Sequence, residues 1–347
     1  MHIFYHPGHT RHDPALLHRP DMPQRKAYYA EVAERGELIH TAVTEAGLGS
    51  VSLPGDFGLE PIADVHRHEM LTLLQSAYDR FLLEAGTEPA IPDTFSVRHM
   101  LRRHSQTIFG LLGQYCYDTS SPIFKDTWDV AYWSAQTALS AAALVTAVGE
   151  QTAYALCRPP GHHAAADMFG GFCYLNNAAI AANWMVQQGQ RVAILDIDYH
   201  HGNGTQAIFY GRAEVLFCSI HADPFKEYPY YWGFADEYGR GAGKGYNFNF
   251  PLPLDTEESA YLATLDKALT RIRAFVPDVL VLSLGVDTAV GDPVGGFRLE
   301  RESYGRIGAQ IGQLHLPTVV IQEGGYLLPT LGHNVATFLK GLTQTTE

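Results

Sequence analysis

Residues 192–206 read VAILDIDYHHGNGTQ, an apolar run that passes directly into a polar segment with two histidines. An unbroken run such as Val192–Asp198 (VAILDID) is typical of a strand in a parallel sheet, because both of its faces are buried. Similar runs follow at Val215–Ile220 (VLFCSI), Val279–Gly285 (VLVLSLG) and Thr318–Gln322 (TVVIQ). The four runs therefore predict four buried, parallel strands.

Helix-like stretches lie between and before these runs. Ala178–Gln188 precedes the first run and Ser259–Phe275 precedes the third, while the Ala-rich stretch Asp129–Val148 has few helix breakers and Gly149 as a stop. This alternation predicts the α/β class, with a single open, mostly parallel sheet flanked by helices. No repeat, low-complexity tract or long linker interrupts the chain, so we expect residues 1–347 to form one domain.

Composition and charge exclude several classes of function. The 347 residues are 46% hydrophobic and 18% charged, as in globular proteins. The net charge is −13 and Lys and Arg are not strongly clustered, which argues against nucleic acid or an anionic membrane as partner. No apolar run reaches the roughly 18 residues of a membrane helix.

The start, MHIFYHPGHTRHD, lacks the pattern of a secretory signal, and the four cysteines form no C-x-x-C pair. We therefore expect a reducing, cytoplasmic location.

The interval Gly86–Lys125 does not follow the strand–helix pattern. It is rich in Pro, Ser, Thr and aromatic residues and carries a basic patch at Arg98–His104. Because it is longer than most connections in compact domains, we interpret it as a functional insertion or an oligomer contact. A solvated excursion of the chain is the alternative.

Polar residues follow the predicted strands where each strand ends. Asp198 and His200 follow the first run, Asp287 follows the third, and Tyr326 follows the fourth. A further run, YALCRPP, leads into 161–163 (GHH). Since ligands of open α/β sheets bind outside the carboxyl ends of the strands, we expect these side chains to share one rim.

Two aspartates and a histidine form a plausible three-ligand metal site. Residues i and i+2 of a strand point the same way, so Asp198 and His200 can share one ion, and Asp287 approaches from another strand. Imidazole and carboxylates suit zinc, although iron(II), cobalt or manganese could also occupy such a set. Alternatively, Asp196 and Asp198 cap a turn and the histidines are ordinary loop residues. Acidic residues after three strands, with histidine pairs beside two of them, favour the metal site.

A hydrolytic reaction at such a metal needs groups that move protons. His162 and His163 follow a turn made rigid by Pro159 and Pro160, and two imidazoles could divide or share the roles of base and acid. Tyr326, on a Gly-Gly turn, could donate a hydrogen bond to a developing oxyanion. Ordinary loop packing is the alternative for that turn.

Five motifs occur in order along the chain: RPPGHHA (158–164), GFCYLNNAA (171–179), LDIDYHHGNGTQ (195–206), LGVDTAVGDPVGG (284–296) and QEGGY (322–326). Together they resemble the zinc-dependent histone deacetylase superfamily, which has the arginase–deacetylase fold. The stretch Asp167–Asn177 is especially similar to the bacterial acetylpolyamine amidohydrolases of that superfamily. The resemblance implies an amidohydrolase that removes acetyl groups from acetylpolyamines such as acetylputrescine or acetylcadaverine.

The same resemblance implies the roles of individual residues. The implied ligands of one Zn²⁺ per chain, for which Fe²⁺ or Co²⁺ could substitute, are Asp198, His200 and Asp287. The implied catalytic residues are His163 as general base and acid, His162 as its electrostatic partner, Tyr326 as the group that polarises the carbonyl, Asp196 beside His162, and Asn203 beside His163. The implied residues of a structural potassium site are Asp196, Asp198, His200, Ser219 and Ile220.

Substrate contacts are implied in the same way. The Gly171 carbonyl would accept the substrate amide N–H, and Phe172 and Tyr228 would form the walls of the tunnel. Val294, in GDPVGG, is apolar where the eukaryotic polyamine-specific deacetylase has glutamate. Phe109, directly before Gly110, also stands at a position where the resemblance leads us to expect a carboxylate.

The insertion of the acetylpolyamine amidohydrolases mediates dimerisation and narrows the entrance, so the resemblance implies a homodimer contact and an active-site rim at about 86–125. Gly110, Gly113, Tyr115 and Cys116 match its pattern. Ser120 also stands where those enzymes have a carboxylate, although Asp118 is close in sequence.

We therefore expect a small acetylated amine as the substrate. A broad-range protein or peptide lysine deacetylase is the alternative, and it would need a wider entrance. A non-catalytic acetyl-ligand binder would lack a working part, whereas every expected metal, base and oxyanion position is filled. An arginase-like hydrolase with two manganese ions would need further carboxylates.

Overall fold

A computed structural model describes residues 1–22, 28–97 and 103–344. In these residues eight parallel strands form a single sheet with the order β2-β1-β3-β8-β7-β4-β5-β6. The strands are β1 (His2–Phe4), β2 (Ser50–Ser52), β3 (Thr152–Ala155), β4 (Val192–Asp196), β5 (Val215–Ala222), β6 (Asn247–Leu252), β7 (Val279–Leu284) and β8 (Thr318–Gln322). The prediction of an open parallel sheet is confirmed.

Helices cover both faces of the sheet. The α-helices of the described residues are α1 (Glu34–Glu45), α2 (Glu60–Ala63), α3 (His68–Ala85), α4 (Ile108–Tyr115), α5 (Thr127–Ala143), α6 (Asn177–Gln187), α7 (Asn203–Phe209), α8 (Glu258–Phe275), α9 (Arg301–Gly312) and α10 (Leu328–Gln344). The three predicted helices are α5, α6 and α8. The first of them continues into a π-helical turn, Leu144–Val148, and ends at Gly149, whose φ of 80° is the left-handed conformation that glycine adopts without strain.

Each central strand contributes side chains to two hydrophobic cores. In β4, Val192 and Ile194 pack on one face with α3, α4, α5 and α6, whereas Ala193 and Leu195 pack on the other with α1, α8, α9 and α10. Burial of one such large aliphatic side chain contributes about 1.5–3 kcal/mol. Burial on both faces explains why these strands lack polar alternation, and it leaves their ends as the place where polar side chains collect.

The interval 86–125 connects α3 to α5 and contains α4. Within its basic patch, residues 98–102 lie outside the described residues. After α4 the chain joins the segment before Gly171, because the N–H of Phe169 donates to the carbonyl of Tyr115 (2.7 Å) and that of Tyr117 donates to the carbonyl of Phe169 (3.1 Å). This part of the interval therefore lies next to the predicted tunnel.

None of the helices in the described parts of the chain combines the length and the apolar composition that crossing a bilayer requires.

Candidate active site

Three predicted ligands come together at the carboxyl ends of β4 and β7. Asp198, His200 and Asp287 each place one ligand atom within 4.8 Å of the other two. Nδ1 of His200 lies 3.0 Å from Oδ2 of Asp287 and 3.3 Å from Oδ1 of Asp198. Both carboxylates are completely buried, and no Lys or Arg of the described residues forms an ion pair with either.

This donor set fits a divalent cation. Burial, together with the neighbouring charge of Asp198, raises the pKa of Asp287, and a bound cation would offset that repulsion. A Cβ atom at position 324 would lie 2.6 Å from Oδ2 of both aspartates, so Gly324 keeps the space beside them open. Backbone N–H groups orient the ligands: that of Gly324 donates to Asp198 (2.8 Å) and that of Tyr199 donates to Asp287 (3.0 Å).

Two histidines with different partners lie beside this cluster. The ring centroids of His162 and His163 are 4.0 Å apart. Nδ1 of His162 lies 3.0 Å from a carboxylate oxygen of Asp196, whereas Nδ1 of His163 lies 2.7 Å from the amide oxygen of Asn203. Because an amide oxygen only accepts, Nδ1 of His163 carries the proton and Nε2 keeps its lone pair.

The two imidazoles consequently differ in charge. Burial disfavours protonation of His162, but Asp198 and Asp196 outweigh burial and raise its pKa to about 10. Burial and the nearby His162 and His200 hold the pKa of His163 well below its usual range, although the bond to Asn203 acts the other way. At neutral pH the site therefore contains a cationic imidazole beside a neutral one.

The turn that carries Tyr326 is held by a residue that sequence reasoning missed. The guanidinium of Arg35 donates to the carbonyls of Gly325 (2.6 Å) and Glu323 (2.7 Å), and it lies 4.5 Å from the ring centroid of Tyr326. Burial raises the pKa of the Tyr326 hydroxyl well above its usual range, so this hydroxyl remains a hydrogen-bond donor. Arg35 belongs to no recognised motif, and only the folded chain brings it to this turn.

Glu323 was also missed as a site residue, although it stands within the QEGGY motif. Its carboxylate accepts the N–H groups of Gly161 (2.7 Å) and His162 (3.2 Å). Glu323 thus ties the loop with the two histidines to the turn with Tyr326.

One pocket of about 630 Å³ is lined by His200 of the metal cluster and by the predicted substrate residues. Its lining includes His163, His200 and Tyr326 and all four residues predicted to contact substrate, which are Gly171, Phe172, Tyr228 and Val294. The Tyr228 ring meets that of His163 edge-on at 4.9 Å, and the Phe172 ring meets that of Tyr326 edge-on at 5.5 Å. Gly171 has a φ of 59°, and a Cβ there would lie 2.5 Å from the His163 ring.

The interval 86–125 contributes to this pocket through Tyr117, Asp118 and Ser120. Asp118, noted in the sequence only for its proximity to Ser120, accepts the N–H of Gly171 and the hydroxyl of Tyr228, both at 2.8 Å. Phe109 is not part of the lining; its ring packs edge-on against Phe81 at 5.6 Å.

Of the residues named for the potassium site, Asp196, Ser219 and Ile220 lie in the β4–β5 pair, whereas Asp198 and the half-buried His200 follow the end of β4. Asp196 stands opposite Ser219 in the strand register, and the Ser219 hydroxyl lies 2.8 Å from Nδ1 of His221. Ser219 and Ile220 are completely buried.

Known proteins resemble this chain over most of its length. Residues 29–342 match the histone deacetylase domain family. The chain is 47% identical over 315 residues to acetylpolyamine amidohydrolase 1 of Pseudomonas aeruginosa, covering 90% of each chain. It is 43% identical over 313 residues to the acetylpolyamine amidohydrolase of Mycoplana ramosa, covering 90% of this chain and 92% of that one. The crystal structure of an acetylpolyamine aminohydrolase from Burkholderia pseudomallei superposes with a TM-score of 0.90 at 42% identity, covering 99% of both chains.

Proposed function

The chain belongs to the histone deacetylase family and is a deacetylase, and from this premise we propose that it hydrolyses acetylated polyamines. The observation that carries the proposal is the neutral His163 beside the Asp198–His200–Asp287 cluster, with Tyr326 in the same pocket. The names of its relatives support polyamines as the substrate class.

Asp198, His200 and Asp287 would hold the metal, and we propose one Zn²⁺ per chain. A bound divalent cation supplies a Lewis acid that polarises the acetyl carbonyl and increases the acidity of water. Fe²⁺ or Co²⁺ could substitute at the same ligands.

The chain's own residues perform the proton transfers. Nε2 of His163 takes a proton from the water whose oxygen attacks the acetyl carbon. The same imidazolium then delivers the proton to the amine nitrogen as the C–N bond breaks, so acetate and a free amine result. Burial and the cationic His162, which pairs with Asp196, keep the pKa of His163 low, and a low pKa favours this delivery.

Tyr326 and Gly171 orient the acetamide. The Tyr326 hydroxyl donates to the oxygen that becomes negative in the transition state, an interaction that strengthens as the reaction proceeds. The Gly171 carbonyl accepts the amide N–H, and Phe172 and Tyr228 contact the methylene chain. A broad-range protein or peptide lysine deacetylase is the second candidate. It is favoured by Val294 in the pocket lining, which is apolar where the eukaryotic polyamine-specific deacetylase has glutamate.

The proposal is tested with protein that has been stripped of metal and reloaded with one equivalent of Zn²⁺. We expect this protein to release equimolar acetate and putrescine from N-acetylputrescine. Tyr326→Phe should retain its zinc and lose most turnover. Near-normal turnover by Tyr326→Phe would contradict the role of its hydroxyl, and absence of turnover by the wild type would contradict the proposed function.

The potassium site at Asp196, Asp198, His200, Ser219 and Ile220 and the homodimer contact at 86–125 stay predictions, as does a cytoplasmic location. Sedimentation equilibrium tests the dimer, and unfolding in potassium against sodium buffers tests the ion.

A further inference from the structure

Among the described residues, the lining of the pocket carries negative charge without a lysine or arginine to balance it. Two carboxylates, those of Asp118 and Glu227, face the pocket, and within residues 1–22, 28–97 and 103–344 no lysine or arginine lines it. A partly enclosed site of this kind attracts a cation more strongly than an exposed surface does, because water screens it less. The remote ammonium group of an acetylated diamine is such a cation.

The hydrogen bonds of the two carboxylates distinguish their roles. Oδ1 of Asp118 accepts the N–H (3.0 Å) and the hydroxyl (2.9 Å) of Ser120, and Oδ2 accepts the N–H of Gly171 and the hydroxyl of Tyr228. Since a carboxylate offers about four acceptor sites, the protein itself occupies those of Asp118. Asp118 therefore positions the pocket wall and has little capacity left for a ligand.

Glu227 is in the opposite situation. Its carboxylate is half-buried and lies near the hydroxyl of Tyr199, but that hydroxyl has no hydrogen-bond partner within the described residues. No Lys or Arg of the described ranges forms an ion pair with Glu227. Its backbone is fixed, because its N–H donates to Asp223 (3.1 Å) and its carbonyl accepts from Tyr230 (3.0 Å).

Aromatic rings complete this part of the pocket. Tyr230 and Tyr231 follow Glu227 in the chain and line the same pocket, and they are 50% and 81% exposed. The face of an aromatic ring attracts an ammonium group, so rings beside a carboxylate suit a protonated amine better than a neutral chain.

We propose that Glu227 determines substrate specificity by binding the remote ammonium group of an acetylated diamine whose acetamide lies against His163 and Tyr326. This inference rests on the proposed function, and it names the carboxylate that replaces those expected at positions 109, 120 and 294.

The test compares two substrates of equal length. N-acetylputrescine ends in an ammonium group, whereas N-pentylacetamide has a methyl group in its place. We expect Glu227→Gln, which keeps the size of the side chain, to reduce the ratio of the two kcat/KM values at least tenfold, or about 1.4 kcal/mol. The loss should lie mainly in KM for N-acetylputrescine and should shrink as salt concentration rises. Glu227→Asp should recover part of the ratio.

Asp236→Asn is the matched control, because it removes an exposed carboxylate from the same loop that does not line the pocket. This variant should keep the wild-type ratio. A ratio unchanged in Glu227→Gln, with N-acetylputrescine still hydrolysed, would overturn the role of Glu227 and leave the proposed function intact. Equal losses for both substrates would overturn it as well, since they would indicate a structural role. Absence of N-acetylputrescine hydrolysis by the wild type would overturn both proposals.

Discussion

Glu31 is the acidic centre of a buried ionic triad that links the two catalytic loops. Its Oε1 lies 2.7 Å from Nη1 of Arg35 and 2.8 Å from Nε of Arg158, and all three side chains are almost completely buried. Arg35 holds the turn that carries Tyr326, and Arg158 begins the loop that carries the two histidines. Removal of this carboxylate would leave two guanidinium groups facing each other away from water.

The expected cost of Glu31→Gln follows from that burial. Breaking a buried ion pair by removal of one partner costs about 3–5 kcal/mol, because the remaining charge has no counterion. The entropy of unfolding is about 2.1 cal/mol/K per residue, or about 0.7 kcal/mol/K for 347 residues. The melting temperature should therefore fall by about 4–7 °C, and kcat should fall too because Arg35 loses its anchor.

Urea unfolding followed by tryptophan fluorescence, together with thermal unfolding, measures this effect. Asp21→Asn is the control, since it breaks an exposed pair in which the Arg19 guanidinium donates two hydrogen bonds of 3.1 and 3.0 Å. An exposed pair contributes less than about 1 kcal/mol. If Glu31→Gln destabilises the protein no more than Asp21→Asn does, the reasoning about the triad is refuted.

Three further changes test other parts of the structure. Asp287→Asn removes one of two carboxylates from the proposed metal site, so the zinc content measured by mass spectrometry should fall well below one per chain; full retention would contradict the ligand assignment. Asp118→Asn weakens the bonds to Gly171 and Tyr228, and kcat/KM for N-acetylputrescine should fall about tenfold, whereas wild-type kinetics would show that Asp118 does not position the wall. Burial lowers the pKa of His66 to about 4, although the bond from its ring to the Ala165 carbonyl acts the other way. The N–H of Asn176 donates to Nε2 of His66 (2.9 Å), so the nitrogen that would take up the proton is already an acceptor. The unfolded protein binds a proton at this histidine near pH 6.5 and the folded protein only near pH 4, so the free energy of unfolding is highest above pH 6.5 and falls by about 3 kcal/mol as the pH falls towards 4. The urea midpoint of His66→Gln should therefore depend less on pH than that of the wild type.

The central strands could be predicted from sequence because burial on both faces leaves an unbroken apolar run. β4, β5, β7 and β8 have this signal, and they lie side by side in the middle of the sheet. β1 and β2 have only three residues each, and β6 alternates Asn with Phe at the edge of the sheet, where it pairs with β5. Three residues are too few to show a pattern, and the alternation in β6 covers only four residues before Pro251, so the structure was needed to find these strands.

The site residues likewise divide into those with a signal in the local sequence and those without one. Asp198, His200, Asp287 and Tyr326 directly follow recognisable strands, so the rule for open α/β sheets predicts where they meet. Arg35 reaches Gly325 across 290 residues of sequence, and no local pattern encodes such a contact. Glu227 was missed for a different reason. Whether its carboxylate is free to bind a ligand depends on the hydrogen bonds that its neighbours make, and the sequence does not show these bonds.

The most direct test of the central claim is a side-by-side measurement of kcat/KM for N-acetylputrescine and an acetyl-lysine peptide with the zinc-loaded protein. A polyamine deacetylase should favour N-acetylputrescine at least about 100-fold, or about 2.7 kcal/mol of transition-state discrimination. Comparable values, or a preference for the peptide, would contradict the account and identify a broad-range lysine deacetylase.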